Sequence, residues 1–561
     1  MSENRVLVDP ESESARRWKR RAAGLGPELL AGLSAIVTAS FVAGRSLGAG
    51  FPVDDAWIHM VYGLAVRRGE GFAYNTGTAA TGCTSPLWVL FAALAHLLSG
   101  SRAPSFAAST CLKGLGVLFF AVASVLGARL ARLCAPRRSR EAVAALAGGG
   151  LIACAPILAY AAVSGMEVAM TSALMLGALV LAGNKRVKLS ALVAGVAALA
   201  RPEAVLTLPL VLALGALHPG EAQRGTRARA WRLLAAAAIG AAPITAFLLR
   251  NLAASGQPLP ATFYRKTRLR VDILFEDLDA GFRTVLSALA PASFLLLWAL
   301  VATAILFGVL ALSQRATHPR GRIPPRRMLA GATATLGVGY VAGVSMLMRL
   351  KGGGIFYFER YVLPPLPLLI VGAVSAAMWA GEARLSELPS PRVRALLRRA
   401  LRVLTVGVFV LGFAAEASGM PELRVRYARD IADIEGLQVA LGERMHALPP
   451  GAVVWSQDAG AIRYFGEHPT VDLNELNTPE LFGGAGDRIP EAWWPDAVIV
   501  SLGAFRVEAR DGVLDDVRVV APSDPGNVLG EQHMYRCREG DAVVAVFRHG
   551  RRVAVGQCAR R

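Results

Sequence analysis

Charge is scarce in this chain: 18% of its 561 residues are Asp, Glu, Lys or Arg, while 54% are hydrophobic. That balance, with a mean hydropathy of +0.44, excludes an ordinary soluble single domain. Cysteine is scarcer still. The six cysteines are scattered with no metal-ligand spacing. Only Cys537 and Cys558 share a polar region, which leaves room for one disulfide there. Acidic residues number 41 against 60 basic ones, for a net charge of +19. That excess does not point to nucleic acid, because the arginines fall in short clusters between apolar runs, as cytoplasmic loops do. Such clusters also suit lipid phosphates. The polar C-terminal part has neither a glycine-rich dinucleotide fingerprint nor a P-loop, so no nucleotide site is written there.

What the chain has instead is apolar runs of about 20 residues, the length a helix needs to cross a bilayer. Residues 1–28 end in a basic flank, RRWKRR, that belongs on the cytoplasmic side, and residues 29–47 read as an uncleaved first span. Residues 85–98 are short, and counting them as a span would move the arginine cluster after residue 128 outside. They read as an interfacial or re-entrant helix with Trp88 at the membrane boundary. Residues 189–217 are broken by Arg201-Pro202-Glu203 and read as two short passes. Alternation of the remaining loops gives about eleven spans, with the N-terminus inside and the C-terminus outside.

From about residue 419 the composition shifts. RDIADIEGLQVALGERMHAL has helical periodicity, whereas AVVWSQDAG, PTVDLNELN, AVIVSLG, DVRVVAP and DAVVAVFRH are short β-rich runs ended by turn residues. Residues 419–561 thus form an α/β unit of about 140 residues, large enough for its own core. Asp458, at a strand–turn–helix junction, reads as a structural cap.

Between the first span and residue 85 lies FPVDDAWIHMVYGLAVRRGEGFAYNTGTAATGCTS, with Asp54 and Asp55 adjacent at the mouth of the membrane. Ionisable groups there are costly and therefore functional candidates. With the PLW that follows, this loop (residues 50–84) resembles the first outer loop of the C-type membrane glycosyltransferases. It is similar to bacterial relatives of the mycobacterial terminal β-(1→2)-arabinofuranosyltransferase. SGMEVAM, ALARPEAVL, LPATFYRK, ERYVLPPLPLL and DAGAIRYFGEHPTVDLNELN follow in the same order. Cys83 departs from the pattern, since relatives carry a bulkier residue there.

The resemblance implies a polytopic α-helical membrane protein of GT-C-like fold. A transferase domain would span residues 29–418, and residues 419–561 would form an extracytoplasmic domain. The implied donor is a polyprenyl-phosphate-linked sugar, and the implied acceptor is a cell-envelope glycan or glycolipid at the outer face of the bacterial inner membrane. Asp54 and Asp55 are the catalytic candidates, one of them as general base, and Asp54 is favoured because it is nearer the membrane. Glu167, Arg201, Tyr264, Lys266, Arg360 and Tyr361 are the substrate-binding candidates. Arg265, Arg268 and Lys351 join Arg201, Lys266 and Arg360 as outer-face cations able to meet a leaving phosphate. No metal ligand is assigned, and a divalent metal is left open. A transporter or flippase of lipid-linked sugars is the alternative. It calls for internal repeats and ionisable residues deep in the spans, whereas most charges here lie at span ends.

Overall fold

The computed structural model describes residues 10–217, 225–266, 276–280, 282–283, 324–347, 356–383, 390–482, 489–502, 504–509, 514–520, 531–538, 543–548 and 551–558. Its membrane part is a helical bundle. In order come α1 (Pro10–Ala43), α2 (Asp54–Arg68), α3 (Pro86–Leu98), α4 (Phe106–Cys134), α5 (Glu141–Cys154), α6 (Pro156–Val163), α7 (Val168–Gly183), α8 (Val187–Ala200), α9 (Thr207–Leu217), α10 (Thr226–Ser255) and α11 (Ala261–Lys266). Helices Pro325–Leu347, Leu366–Ala383 and Pro391–Ile434 follow.

Helix α4 is the hub, packed against α1, α5 and α7. Lipid supplies no hydrophobic drive between helices, so close contact depends on small residues. Gly116 of α4 shows this: a Cβ there would lie 1.9 Å from the Ala162 carbonyl oxygen. Hydroxyls inside the bundle bond back one turn. Thr333 donates to Leu329 O at 2.8 Å and Ser345 to Val341 O at 2.7 Å, so these two hydroxyls are satisfied within their own helix.

Among the described residues, four helices are long and apolar enough to cross a membrane: Gly26–Gly48, Phe106–Cys134, Thr226–Ser255 and Pro325–Leu347. A bent pair, Arg138–Cys154 with Pro156–Val163, makes a fifth at a 56° angle. The run at 292–312, expected to span, lies outside the described residues, and the run at 403–415 falls inside the helix Pro391–Ile434. The chain breaks at Arg201 as expected: α8 stops at Ala200, a 3-10 turn covers Pro202–Leu206, and α9 begins at Thr207.

Two expectations change. Helix α3 is short, but Trp88 is fully buried rather than at the lipid boundary. Its indole N–H donates to Gly165 O at 2.7 Å and its ring meets Phe91 and Phe119, so both its polar and apolar needs are met inside. The boundary expected at 418/419 falls inside the helix Pro391–Ile434, which runs through it without a break.

Beyond that helix, one turn of π-helix (Glu435–Val439) leads into a sheet body. Five strands, β1 (Val454–Ser456), β2 (Thr470–Asp472), β3 (Ala497–Val500), β5 (Leu514–Val520) and β6 (Glu531–Cys537), are ordered β2-β1-β3-β6-β5. β1 pairs in parallel with β2 and β3, and the β3–β6 and β6–β5 pairs are antiparallel. A second, antiparallel sheet is ordered β4 (Phe505–Ala509), β7 (Val543–Arg548), β8 (Arg551–Gln557). The Cys537–Cys558 disulfide ties the end of β6 in the first sheet to the end of β8 in the second.

Candidate active site

Helix α2 starts at Asp54, so both aspartates sit in its first turn, where the helix dipole favours negative charge. Adjacent helical residues point about 100° apart, so the two cannot share a face. Asp55, Ile58, His59 and Tyr62, spaced at i, i+3, i+4 and i+7, line a cavity in the membrane part. Asp54 and Trp57 face the C-terminal body instead. Asp54 accepts hydrogen bonds from the Gly460 N–H at 2.8 Å and the Ala461 N–H at 2.7 Å, one on each oxygen. Trp57, fully buried, packs its ring 5.1 Å from Tyr464 and 4.9 Å from Phe465.

The approach is close enough to require glycine. A Cβ on Gly460 would sit 2.1 Å from the Asp54 carbonyl oxygen. The rest of the first loop is held by the same body. Asn75 exchanges two 2.9 Å hydrogen bonds with the Thr470 backbone, Tyr74 donates to Ala459 O at 2.7 Å, and Tyr62 donates to Asn477 Oδ1 at 3.0 Å. Ahead of α2, Lys113 Nζ donates to the carbonyls of Ser46, Leu47 and Ala49, and the Gly50 N–H donates to Glu435 at 2.6 Å. The segment entering the site is therefore fixed from both sides.

Asp55 pairs with Arg360. Arg360 is 1% exposed, with Tyr357 4.4 Å and Tyr361 5.1 Å from its guanidinium carbon, and its Nε has no hydrogen-bond partner. Arg201 covers the Tyr361 ring at 4.9 Å, so that one ring lies against two guanidinium groups. Arg201 in turn bonds Glu167 at 2.6 Å and Glu203 at 3.3 Å, and His59 lies 3.3 Å from Glu167. Burial by itself raises the Glu167 carboxyl, but Arg201 and His59 outweigh it and bring it down to about 2.

Two spaces open onto this constellation. An apolar cavity of about 430 Å³ is lined by Asp55, His59, Glu167, Arg201, Arg360 and Tyr361 together with aliphatic and aromatic groups of α8, α10 and Pro325–Leu347. A polar cleft of about 830 Å³ lies between α2, the helix Pro391–Ile434 and the sheet body, lined by Asp54, Asp55, Arg426, Gln438, Asp458 and Asp472 among others. Asp55, Ile58 and Leu476 line both, and Asp55 is the charged one. Burial first, and then the neighbouring Asp458 carboxylate, push Asp54 well above the usual carboxylate range, against the pull of the two backbone amides. Burial likewise raises Asp458, against the pull of Gln438 and Gln532.

Of the residues expected from sequence, Asp55, Glu167, Arg201, Arg360 and Tyr361 come together at the apolar cavity. Asp54 lines the cleft but not the apolar cavity, and both its oxygens accept backbone amides of the C-terminal body. Tyr264 is not brought in: it is 46% exposed and packs edge-on against Phe263. Arg265 lines the polar cleft, paired with Glu475. Lys266 ends α11, whose Thr262 and Phe263 line the apolar cavity, but its side chain, like all of Arg268 and Lys351, lies outside the described residues. Cys83 lines the apolar cavity. From sequence His59 reads as packed or water-facing, with no second histidine to support a metal site, although its i+4 spacing from Asp55 is a readable signal. Asp458 reads as a cap, and Gln438 and Glu203 are not singled out. Among the described residues no group of three His, Cys, Asp or Glu is arranged to hold a metal.

The architecture is that of solved C-type-fold glycosyltransferases. The chain matches ArnT from Cupriavidus metallidurans bound to undecaprenyl phosphate with a TM-score of 0.50 at 14% identity, over 90% of this chain and 96% of that one. The apo form of that protein gives 0.49 at 14% identity, over 93% and 98%. The oligosaccharyltransferase of Archaeoglobus fulgidus gives 0.49 at 10% identity, over 84% and 69%. Residues 429–546 match the model of a domain of unknown function (DUF8728). No curated protein matches the chain.

Proposed function

We propose that this chain is an inverting membrane glycosyltransferase. It transfers a sugar from a polyprenyl-phosphate donor to an envelope glycan or glycolipid at the outer face of the bacterial inner membrane. The observation that carries this reading is Asp55, the charged side chain at which an apolar cavity fit for a lipid and a polar cleft fit for a glycan meet. The donor's first isoprene units take the apolar cavity, and its phosphate lies against Arg360, whose buried Nε lacks a partner. Asp55 accepts the proton of an acceptor hydroxyl entering from the cleft. The oxygen attacks the anomeric carbon as the bond to the phosphate oxygen breaks, and the electron pair leaves with the phosphate.

The charges also show what else is needed. Arg201 and Arg360 face Asp55, Glu167 and Glu203 around the cavity, so an added phosphate calls for another cation. Lys266, at the end of α11, is the proposed one. The donor sugar is a pentose of the arabinofuranosyl type or a hexose, both of which the resemblance admits. The disulfide in the C-terminal body supports its extracytoplasmic side, since such bonds persist in oxidising compartments.

The test is turnover by the purified full-length protein in lipid nanodiscs, with synthetic polyprenyl-phosphate pentoses and hexoses and a mixture of envelope glycans. Release of polyprenyl phosphate with formation of an inverted glycosidic linkage is expected. No turnover with any donor overturns the transferase reading. For the topology, cysteines introduced at the exposed Thr76 and Arg506 in a chain freed of Cys83, Cys111, Cys134 and Cys154 should react with an impermeant thiol reagent on intact cells. One at Lys185 should not.

A further inference from the structure

The polar cleft contains a feature that neither Asp54 nor Asp55 requires. Asp458 Oδ2 accepts side-chain amide hydrogens from both Gln438, at 3.0 Å, and Gln532. A carboxylate only accepts, so these contacts fix each glutamine with its nitrogen toward Asp458 and its oxygen turned away. Both oxygens, Gln438 Oε1 and Gln532 Oε1, are buried and have no hydrogen-bond partner, in residues 8% and 1% exposed. An unsatisfied buried acceptor is costly, and its ordinary explanation is a missing donor. Gln438 and Asp458 both line the cleft, as do Gln457 and Asn474. Gln438 is carried on the π-helical turn Glu435–Val439, a distortion that is frequent at functional sites.

The arrangement selects its ligand. Gln438 and Asp458 line the cleft with acceptor oxygens, and acceptors repel anions and reward O–H donors. An uncharged, polyhydroxylated sugar offers such donors without adding a negative charge to a cleft lined by six aspartates and four arginines, whereas a phosphate or uronate adds one. From this we infer that Gln438 and Asp458 form a subsite for the hydroxyls of a neutral acceptor sugar. The domain of unknown function to which both belong is thereby the acceptor-reading half of the site, and the membrane helices are the donor-reading half. This inference rests on the transferase reading above for the word acceptor, but not for the binding itself.

The experiment separates the two. Full-length protein in nanodiscs is applied to immobilised neutral oligosaccharides and to their uronate- and phosphate-bearing counterparts, and polyprenyl phosphate binding is measured in parallel. The wild type should retain a subset of the neutral glycans. Asp458→Asn and Gln438→Met should each weaken that retention by about ten-fold, as loss of a hydrogen bond to a charged or buried partner does. Both should bind polyprenyl phosphate normally, which also shows that they are folded. Arg360→Ala should do the reverse. Preference for the anionic glycans, no retention of any neutral glycan, or unchanged retention in both variants overturns the subsite. Neutral glycan binding lost in the two variants, in a wild type that turns over no lipid-linked sugar, keeps the subsite and removes the transferase reading.

Discussion

The two cavities differ in every respect except their meeting point. The membrane-side cavity is walled by aliphatic side chains and keeps its charges in buried pairs, Arg201 with Glu167 and Arg360 with Asp55. The cleft is about twice as large and more polar, and Asp54 on its wall is bonded to Gly460 of the C-terminal body, 406 residues away. A low-dielectric wall strengthens each ion pair beside it, whereas the cleft's groups compete with water. The lesson is that neighbouring residues divide the labour: Asp55 belongs to both spaces, Asp54 to one.

Replacing Asp55 should break the connection altogether. Asp55→Asn keeps the shape and removes the proton acceptor, so kcat should fall by about 10²–10⁴-fold with polyprenyl phosphate binding preserved. A loss smaller than ten-fold would return the base assignment to Asp54 or elsewhere. Arg360→Ala affects the membrane side. Loss of charge-assisted bonds to the leaving phosphate should cost about 10–100-fold in kcat/KM, read with saturating acceptor. If Arg360→Ala turns over at the wild-type rate, the phosphate does not sit there.

Asp54→Asn affects the other side. It replaces one of the two carboxylate oxygens that receive Gly460 and Ala461, and a drop of about 1–3 kcal/mol in stability with about ten-fold in rate is expected. Gly460→Ala should give the same signature without altering any charge, because its Cβ has no room against Asp54. Were Asp54→Asn to match Asp55→Asn in rate with no loss of stability, the division between the two residues would be wrong. The smallest effect should come from Cys537→Ser with Cys558→Ser. The link closes a 21-residue separation far from Asp55. It should cost about 3 kcal/mol in unfolding of the C-terminal body and change turnover at 25 °C by less than about two-fold.

Local pattern was readable in advance. The α2 face from Asp55 to Tyr62 follows helical spacing, the break at Arg201-Pro202 follows from proline, and five strands follow from short β-branched runs between turns. What was not readable is pairing at a distance. Nothing near Asp54 says that its oxygens meet Gly460 and Ala461. Trp88 has the composition of an interface anchor, and only the carbonyl of Gly165 explains its burial. Gln438 lies in a run of ordinary helical periodicity, where one extra residue per turn leaves no mark on composition. Tyr264 was drawn in by a motif echo and lies outside the cavity its neighbours line.

The bonds from Asp54 to Gly460 and Ala461 also set a clock on biosynthesis. At about 5–20 residues per second of elongation, the amides that complete the first loop emerge roughly 20–80 s after the loop itself has been inserted. Throughout that interval Asp54, Asn75 and Trp57 stand without the C-terminal partners that hold them. A ribosome stalled between Tyr361 and Gly460 therefore leaves a chain that carries Arg201, Arg360 and Tyr361 but whose first loop is unanchored. The first loop reaches its final fixed state only after about four-fifths of the chain has been made.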